Sequence, residues 1–211
     1  MSKPVLVIGS KRYSSWSLRP WLALKQSGIA FDEVLIRLRQ PDTKANILAH
    51  SPSGKVPLLK SGDLLVWDSL AICEYVAELA CVIPLWPENR GARAVARSVS
   101  AEMHSGFIAL RQHLPMDVAT TIALPEIAAE AQADIARVQA IWTDCRASYG
   151  AGGPFLFGRW SNADAMFAPV VTRFYTYGVH LAPVSAAYAE AVYNLPAMQE
   201  WIEAAKAADP V

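Results

Sequence analysis

The sequence has little of what a membrane, secreted or nucleic-acid-binding protein needs. No apolar run approaches the ~18 consecutive residues of a bilayer-spanning helix, so no membrane partner is expected. Cysteine is scarce: Cys73, Cys81 and Cys145 are an odd number without metal-ligand spacing. They suit unpaired thiols used for packing in a reducing compartment, and neither a disulfide framework nor a metal site is expected. An excess of charge of either sign is also missing. Lys+Arg and Asp+Glu are both 19, giving a net charge of zero. A duplex-binding surface needs clustered positive charge, so nucleic acid is not an expected partner. Charged residues make up 18% of the chain against 53% apolar, which excludes disorder and leaves a chain that buries a real core. No secretory signal is read at the amino terminus, and the cytoplasm is the expected location. Repeats and low-complexity tracts are absent.

What is present follows two patterns. Up to about residue 80, strands and helices mix. Residues 5–8 form an apolar run closed by Gly9, and a helix is predicted over 17–27, stopping at Gly28. Residues 31–36 have the β-branched enrichment of a second strand. Apolar runs at 56–59 and 64–67 flank Ser61-Gly62-Asp63, a hairpin signal. A helix over 69–80 places Ile72, Tyr75, Val76 and Leu79 at helical spacing. Residues 84–91 hold two prolines, an Asn and a Gly, and beyond them the strand signals vanish. Helices are predicted at 92–113, 125–149, 162–178, 185–193 and 196–208. The division is therefore an α/β domain over 1–82, a linker over 83–91 and an all-helical domain over 92–211. Ser161-Asn162-Ala163-Asp164 fits a capping box at the start of one helix, a folding determinant.

The turn after the first strand reads Tyr13-Ser14-Ser15-Trp16-Ser17, followed by Pro20. With Ser17 as N-cap, Pro20 falls at the third helical position, where its missing amide proton is tolerated. Ser14 and Ser15 then line the approach to a helix terminus that favours an anion. Capping alone also accounts for three serines. Asp68-Ser69 is a second helix start, with Ser69 a natural N-cap.

Four motifs in this order resemble those of the cytosolic glutathione transferases: Ser14-Ser15-Trp16-Ser17, Ser53-Gly54-Lys55-Val56-Pro57, Asp68-Ser69 and the 161–164 box. The resemblance covers almost the whole chain. It implies an α/β plus all-α architecture, with a thioredoxin-like first domain joined to a helical-bundle domain. The first motif is especially similar to the zeta class, in which a Ser-Ser-Cys run occupies this turn; Trp16 stands in the cysteine's place. Redox relatives of the fold carry Cys-x-x-Cys here, and Ser14 and Ser17 take those two positions, which excludes disulfide exchange by this turn.

The resemblance implies glutathione as co-substrate, with its sulfur steadied by Ser14, or failing that Ser15, with Tyr13 a distant third. It implies a cis bond between Val56 and Pro57 that presents the Val56 backbone to an extended peptide, although a proline also starts strands without any such role. Ser69 would take the γ-glutamyl carboxylate and Asp68 its ammonium. Lys55, or Lys44 or His50, would meet the glycine carboxylate. Ser100, His104, Phe107 and Arg111 share one face of the 92–113 helix and are expected to line the second-substrate site, or else to form a solvated stripe or dimer contact. Tyr175 and Tyr177 would cover the same cleft. A homodimer is implied as well. The activity implied is thiolate attack on a small hydrophobic electrophile. The alternatives are a glutathione-dependent cis-trans isomerase of the maleylacetoacetate type, which needs Arg19, His104 and Arg111 to converge, and a binding module without turnover.

Overall fold

A computed structural model describes residues 3–80, 82–123 and 126–208. Strand β1 (Val5–Gly9) pairs in parallel with β2 (Asp32–Ile36) and antiparallel with β3 (Leu58–Ser61), and β3 pairs antiparallel with β4 (Leu64–Trp67). The sheet order is β2-β1-β3-β4. Because side chains alternate along a strand, β1 feeds two cores. Leu6 and Ile8 enter the main core, while Val7 packs with Ile36, Ile47 and Leu58 on the other face. Ile47 belongs to α2 (Thr43–Leu48), a one-turn helix that the sequence pattern does not reveal. A helix that short presents one buried apolar residue, too few to show a period.

Helix α1 (Ser15–Ser27) crosses from β1 to β2 and is buried on all sides from Ser17 to Leu24. It packs against α3 (Ser69–Leu79) on one side and α7 (Asn162–Thr176) on another. Its start differs from expectation. The N-cap is Ser14, not Ser17, and Pro20 lies inside the helix, past the first turn. Pro20 therefore removes one intrahelical bond, to the Trp16 carbonyl. The helix starts early because the Ser17 hydroxyl is used elsewhere, accepting the Gly9 amide at 3.1 Å and tying the helix to β1.

After α3 the regular elements of the described residues are all helical: α4 (Arg90–Ser105), α5 (Ile108–His113), α6 (Ala129–Tyr149), α7, α8 (Pro183–Tyr193) and α9 (Pro196–Ala207). The helix expected at 92–113 is broken. Gly106 is extended and Phe107 adopts a left-handed conformation, φ 59°. Arg111 folds back over the break, its Nε donating to the Gly106 carbonyl at 3.0 Å and its Nη2 to the carbonyls of His104 and Met103. A cationic side chain thus satisfies the orphan carbonyls at the end of α4. The expected 161–164 box is present at the start of α7.

Cys73 and Cys145 are buried free thiols, and burial raises their pKa values to about 12 and about 11, so both are neutral packing groups. Cys81 and the predicted helix start at 125 lie outside the described residues. Among the described residues no helix is long and apolar enough to cross a membrane, and no cluster of metal-ligating side chains is found.

The turn between β1 and α1 is pinned from the helical half. The Trp201 indole donates to the Lys11 carbonyl at 2.8 Å, and Arg12 meets Asp117 through two bonds of 2.8 and 2.9 Å. The Val118 amide adds a bond to the Arg12 carbonyl. The serine turn is thus fixed by contacts 105 to 190 residues distant in the chain.

Candidate functional site

The strand register brings three of the sequence motifs together. Val7 pairs with Leu58, and Leu58 with Trp67. The chain leaving β1 after Gly9, the chain entering β3 at Pro57 and the chain leaving β4 at Asp68 therefore lie at one end of the sheet. Each ends in backbone groups that the sheet does not use.

At the first position the Ser10 carbonyl accepts the amides of Tyr13 and Ser14 at 3.1 and 2.9 Å, closing the turn. Ser14 is 5% and Ser15 7% exposed. The Ser14 hydroxyl accepts the Ser17 amide at 3.4 Å and donates to the Ser17 hydroxyl at 2.7 Å. Among the described residues the Trp16 amide and the Ser15 hydroxyl have no hydrogen-bond partner, as befits the first turn of a helix. The Tyr13 ring lies beneath the Arg39 guanidinium at 3.9 Å.

At the second position the Val56–Pro57 bond is cis, as the resemblance implied. Val56 lies outside the strand ladder, and its amide and carbonyl are unpaired among the described residues. The Lys55 side chain is exposed and unpaired there too, whereas Lys44 reaches the Gly54 carbonyl at 3.4 Å and His50 meets Lys60 at 3.1 Å. Of the three basic groups considered for a carboxylate, Lys55 is the one left uncommitted.

At the third position the N-cap is Asp68 and not Ser69, which is the first residue of α3. The Asp68 carboxylate accepts the Leu70 amide at 2.8 Å. It can do so because the residue sits at φ 74°, ψ 132°, a sparsely populated conformation worth about 1–3 kcal/mol of strain. Ser69 is 1% exposed, and its hydroxyl receives a long 3.5 Å contact from the buried Arg19 guanidinium.

The helical half contributes a different set from the one expected. Phe107 is 7% exposed and packs in the core, so it does not line the cleft; the break at Gly106 rotates it away from the His104 stripe. Ser100 is buried and bonds back to the Ala96 carbonyl. Tyr177 donates to the Pro115 carbonyl at 3.0 Å, and Tyr175 stacks on Tyr193 at 3.9 Å, so both are engaged elsewhere. His104 and Arg111 do reach the N-terminal half. Arg19 and Arg111 lie 4.4 and 4.7 Å from the ring centre of Trp16, and the His104 ring meets it edge-on at 5.3 Å. Sequence alone gave Trp16 no task beyond replacing a cysteine. In the fold it is the hub of the contact between the halves, with 38% of its surface still open.

The cationic groups of this cluster repel one another. Arg19 is fully buried, its Nε and Nη2 unpaired among the described residues. Burial first, then repulsion from Arg111 and Arg173, lower its pKa to about 9. Burial also lowers the pKa of His104, with Arg19 and Arg111 adding to the effect and Asp68, whose carboxylate lies 3.2 Å from Nε2, opposing it. The imidazole is therefore neutral at pH 7. Its NMR titration midpoint is expected below the usual histidine value of about 6.5, and lower still in Asp68→Asn. A midpoint at or above the usual value contradicts this account of the cluster. A separate cavity of about 980 Å³ at the linker, lined by Trp86, Tyr149, Phe157, Arg159 and Trp160, touches none of these residues.

Residues 13–79 match the glutathione S-transferase N-terminal domain family, and this stretch contains Ser14, Pro57 and Ser69. A probable maleylacetoacetate isomerase of Caenorhabditis elegans is 33% identical over 105 residues, 50% of this chain and 48% of that protein. Residues 13–79 therefore carry a glutathione transferase N-terminal domain. Solved glutathione transferases share the fold of this chain along nearly its full length. A glutathione transferase homolog from Burkholderia, solved with bound glutathione, superposes with a TM-score of 0.72 at 22% identity, covering 99% of this chain and 100% of that one. A bacterial maleyl pyruvate isomerase, a glutathione transferase of the zeta class, gives 0.74 at 22% identity, covering 96% and 98%. The chain spans about half the length of the curated isomerase it matches. Within the glutathione transferase fold, His104 and Arg111 fall outside the matched N-terminal stretch, so the helical side of the cleft rests on this chain's own geometry.

Proposed function

We propose that this protein is a glutathione transferase that binds glutathione along the first domain, residues 1–82, activates its thiol through Ser14 and adds the thiolate to a small hydrophobic electrophile. The electrophile would lie against the helical domain, residues 92–211, beyond the 83–91 linker. One observation carries the reading: a buried serine N-cap, an unpaired strand-entry backbone and a second helix start converge at one end of the sheet. The Trp16 amide and the Ser14 or Ser15 hydroxyl are donors suited to a sulfur anion at a helix terminus. Val56 offers an amide and a carbonyl to an extended peptide. The Ser69 hydroxyl and amide, with Asp68 beside them, suit the γ-glutamyl end, and Lys55 the glycine carboxylate.

Magnitudes limit what the donors do. A thiol of pKa about 8.5 is about 3% ionised at pH 7. One charge-assisted hydrogen bond and a helix end together contribute about one to three pKa units. Two units raise the thiolate fraction about 25-fold, and the remaining acceleration comes from holding the electrophile close. Calorimetry with glutathione, followed by turnover with an activated aryl halide, tests the reading. Saturable binding with conjugation is expected; absence of binding overturns it, and binding without turnover of any electrophile leaves a binding module.

A second reading has its own support. Arg19, His104 and Arg111 converge around Trp16, which is the arrangement a dicarboxylate isomerase requires. Turnover of a cis-dicarboxylate such as maleylacetoacetate, faster than any conjugation, would favour it. A homodimer in the cytoplasm completes the proposal. The edge strand β4 leaves Leu64, Leu65 and Trp67 exposed, an apolar patch suited to a second copy. Sedimentation at twice 23.0 kDa is expected, and a monomer removes the dimer from the reading.

A further inference from the structure

The hydroxyl proposed to face the sulfur is not free. The Ser14 proton is donated to the Ser17 hydroxyl at 2.7 Å. Ser17 is completely buried, and its oxygen also accepts the Gly9 amide at 3.1 Å. Ser17 therefore has two bonds directed at its oxygen and, among the described residues, no acceptor for its own proton. A hydroxyl accepts through two lone pairs and donates once. The bond runs from Ser14 to Ser17, and a rotation of the two hydroxyls that reversed it would change what Ser14 can do. When Ser17 donates to Ser14, the Ser14 proton is released to point at an incoming anion, and the oxygen of Ser17 keeps the Gly9 bond.

We infer that Ser17 is a positioning residue for Ser14. The chain runs from the Gly9 amide through the Ser17 hydroxyl and the Ser14 hydroxyl to the ligand sulfur, each donor polarising the next. The inference rests on the proposal that Ser14 faces the sulfur, and extends it to a residue that touches no ligand. It gives a chemical reason for a serine three positions after Ser14, where helix capping needs none: the cap is already Ser14. Without Ser17, the Ser14 hydroxyl loses the donor that polarises it, and among the described residues nothing in the buried pocket replaces that donor. No proton is consumed and no bond to carbon changes; the step is a rotation of two hydroxyls coupled to arrival of a thiolate.

The test is the pKa of protein-bound glutathione, followed by thiolate ultraviolet absorption against pH, in wild type, Ser14→Ala, Ser17→Ala and the double variant. Ser17→Ala is expected to raise the bound-thiol pKa by about one unit, with an about tenfold fall in kcat at pH 6 and less than threefold change in the Kd of glutathione. Added to Ser14→Ala, it is expected to change nothing further, because the relay then has no end. A merely structural role predicts weaker binding at an unchanged pKa, and that result overturns the inference. So does an additive double variant. If Ser17→Ala does not fold, Ser17→Thr and Ser17→Val serve instead. They have one shape, so a low pKa in the first and a raised pKa in the second is expected, and equal values overturn the relay. The arms also separate this inference from its premise. A wild-type protein whose bound thiol titrates near its free value overturns the Ser14 proposal itself, whereas a Ser14 effect without a Ser17 effect removes the relay alone.

Discussion

Replacing Ser14 by alanine is expected to lower the glutathione-conjugating kcat by about 10- to 100-fold, the worth of one charge-assisted hydrogen bond of about 1.5–3 kcal/mol. The pKa of bound glutathione should rise by about two units toward its free value, while its Kd changes little. Binding survives because the other contacts proposed for the tripeptide, at Val56, Ser69 and Lys55, do not involve Ser14. A loss of stability accompanies the change, since Ser14 is also the N-cap of α1, but a cap contributes only about 1 kcal/mol. Steady-state rates at saturating glutathione separate the two effects, because a stability defect reduces active enzyme without moving the thiol titration. An unchanged titration transfers the role to Ser15, whose hydroxyl is unpartnered among the described residues, and Ser15→Ala then becomes the variant that must show the shift.

The largest stability effect is expected at a residue with no part in chemistry. Asp164 is completely buried at the start of α7, accepting the Ser161 amide at 2.7 Å, the Ser161 hydroxyl at 3.1 Å and the Leu156 amide at 3.1 Å. Asp164→Ala orphans those donors in a dry site, each at about 1–3 kcal/mol. A total loss of about 3–5 kcal/mol corresponds to a fall in Tm on the order of 10 °C for a chain of this size. Helix α7 packs against both α1 and α4, so the damage reaches the serine turn indirectly. Burial raises the Asp164 pKa to about 6, against the pull of its donors. An acid raised in the folded state favours folding while protonated. Its contribution is therefore fully present below the unfolded value and is lost as pH rises through about 6. Thermal unfolding of wild type and Asp164→Asn between pH 4 and 7 should accordingly show the difference between them shrinking with rising pH. A difference that grows over this range contradicts the buried, raised carboxylate.

These two residues show what sequence could and could not reveal. Asp164 was legible because a capping box is local: four consecutive residues carry the signal and the Ser161 donors, and the Leu156 amide comes from outside them. The strands and most helix bodies were legible for the same reason, since alternation along β1 and the apolar spacing of α3 lie in short windows. The start of α1 was not. Ser17 looks as good an N-cap as Ser14 until β1 is placed beside it and Gly9 claims its hydroxyl. Phe107 was misplaced because an unbroken helical period continues through Gly106. The break is enforced by tertiary contacts, with Arg111 capping α4 and Phe107 drawn into the core. Trp16 carried no signal at all. Its meeting with Arg19, His104 and Arg111 joins residues from both halves, and only the packing of α1 against the helical domain brings them within 5.3 Å. The candidate site was readable where backbone motifs define it, on the side proposed for glutathione, and obscure where side chains from distant helices converge.

That asymmetry sets the order of experiments. The side proposed for an electrophile, with its two arginines and neutral histidine, is a question of substrate profiling. The side proposed for glutathione is a question of one contact. A crystal structure of the protein with glutathione bound measures it directly. The account predicts the sulfur within about 3.5 Å of the Ser14 oxygen, close to the Trp16 amide, with the peptide backbone paired to Val56. A sulfur lying beyond hydrogen-bonding reach of both Ser14 and Ser15, or a tripeptide absent from this end of the sheet, would contradict it.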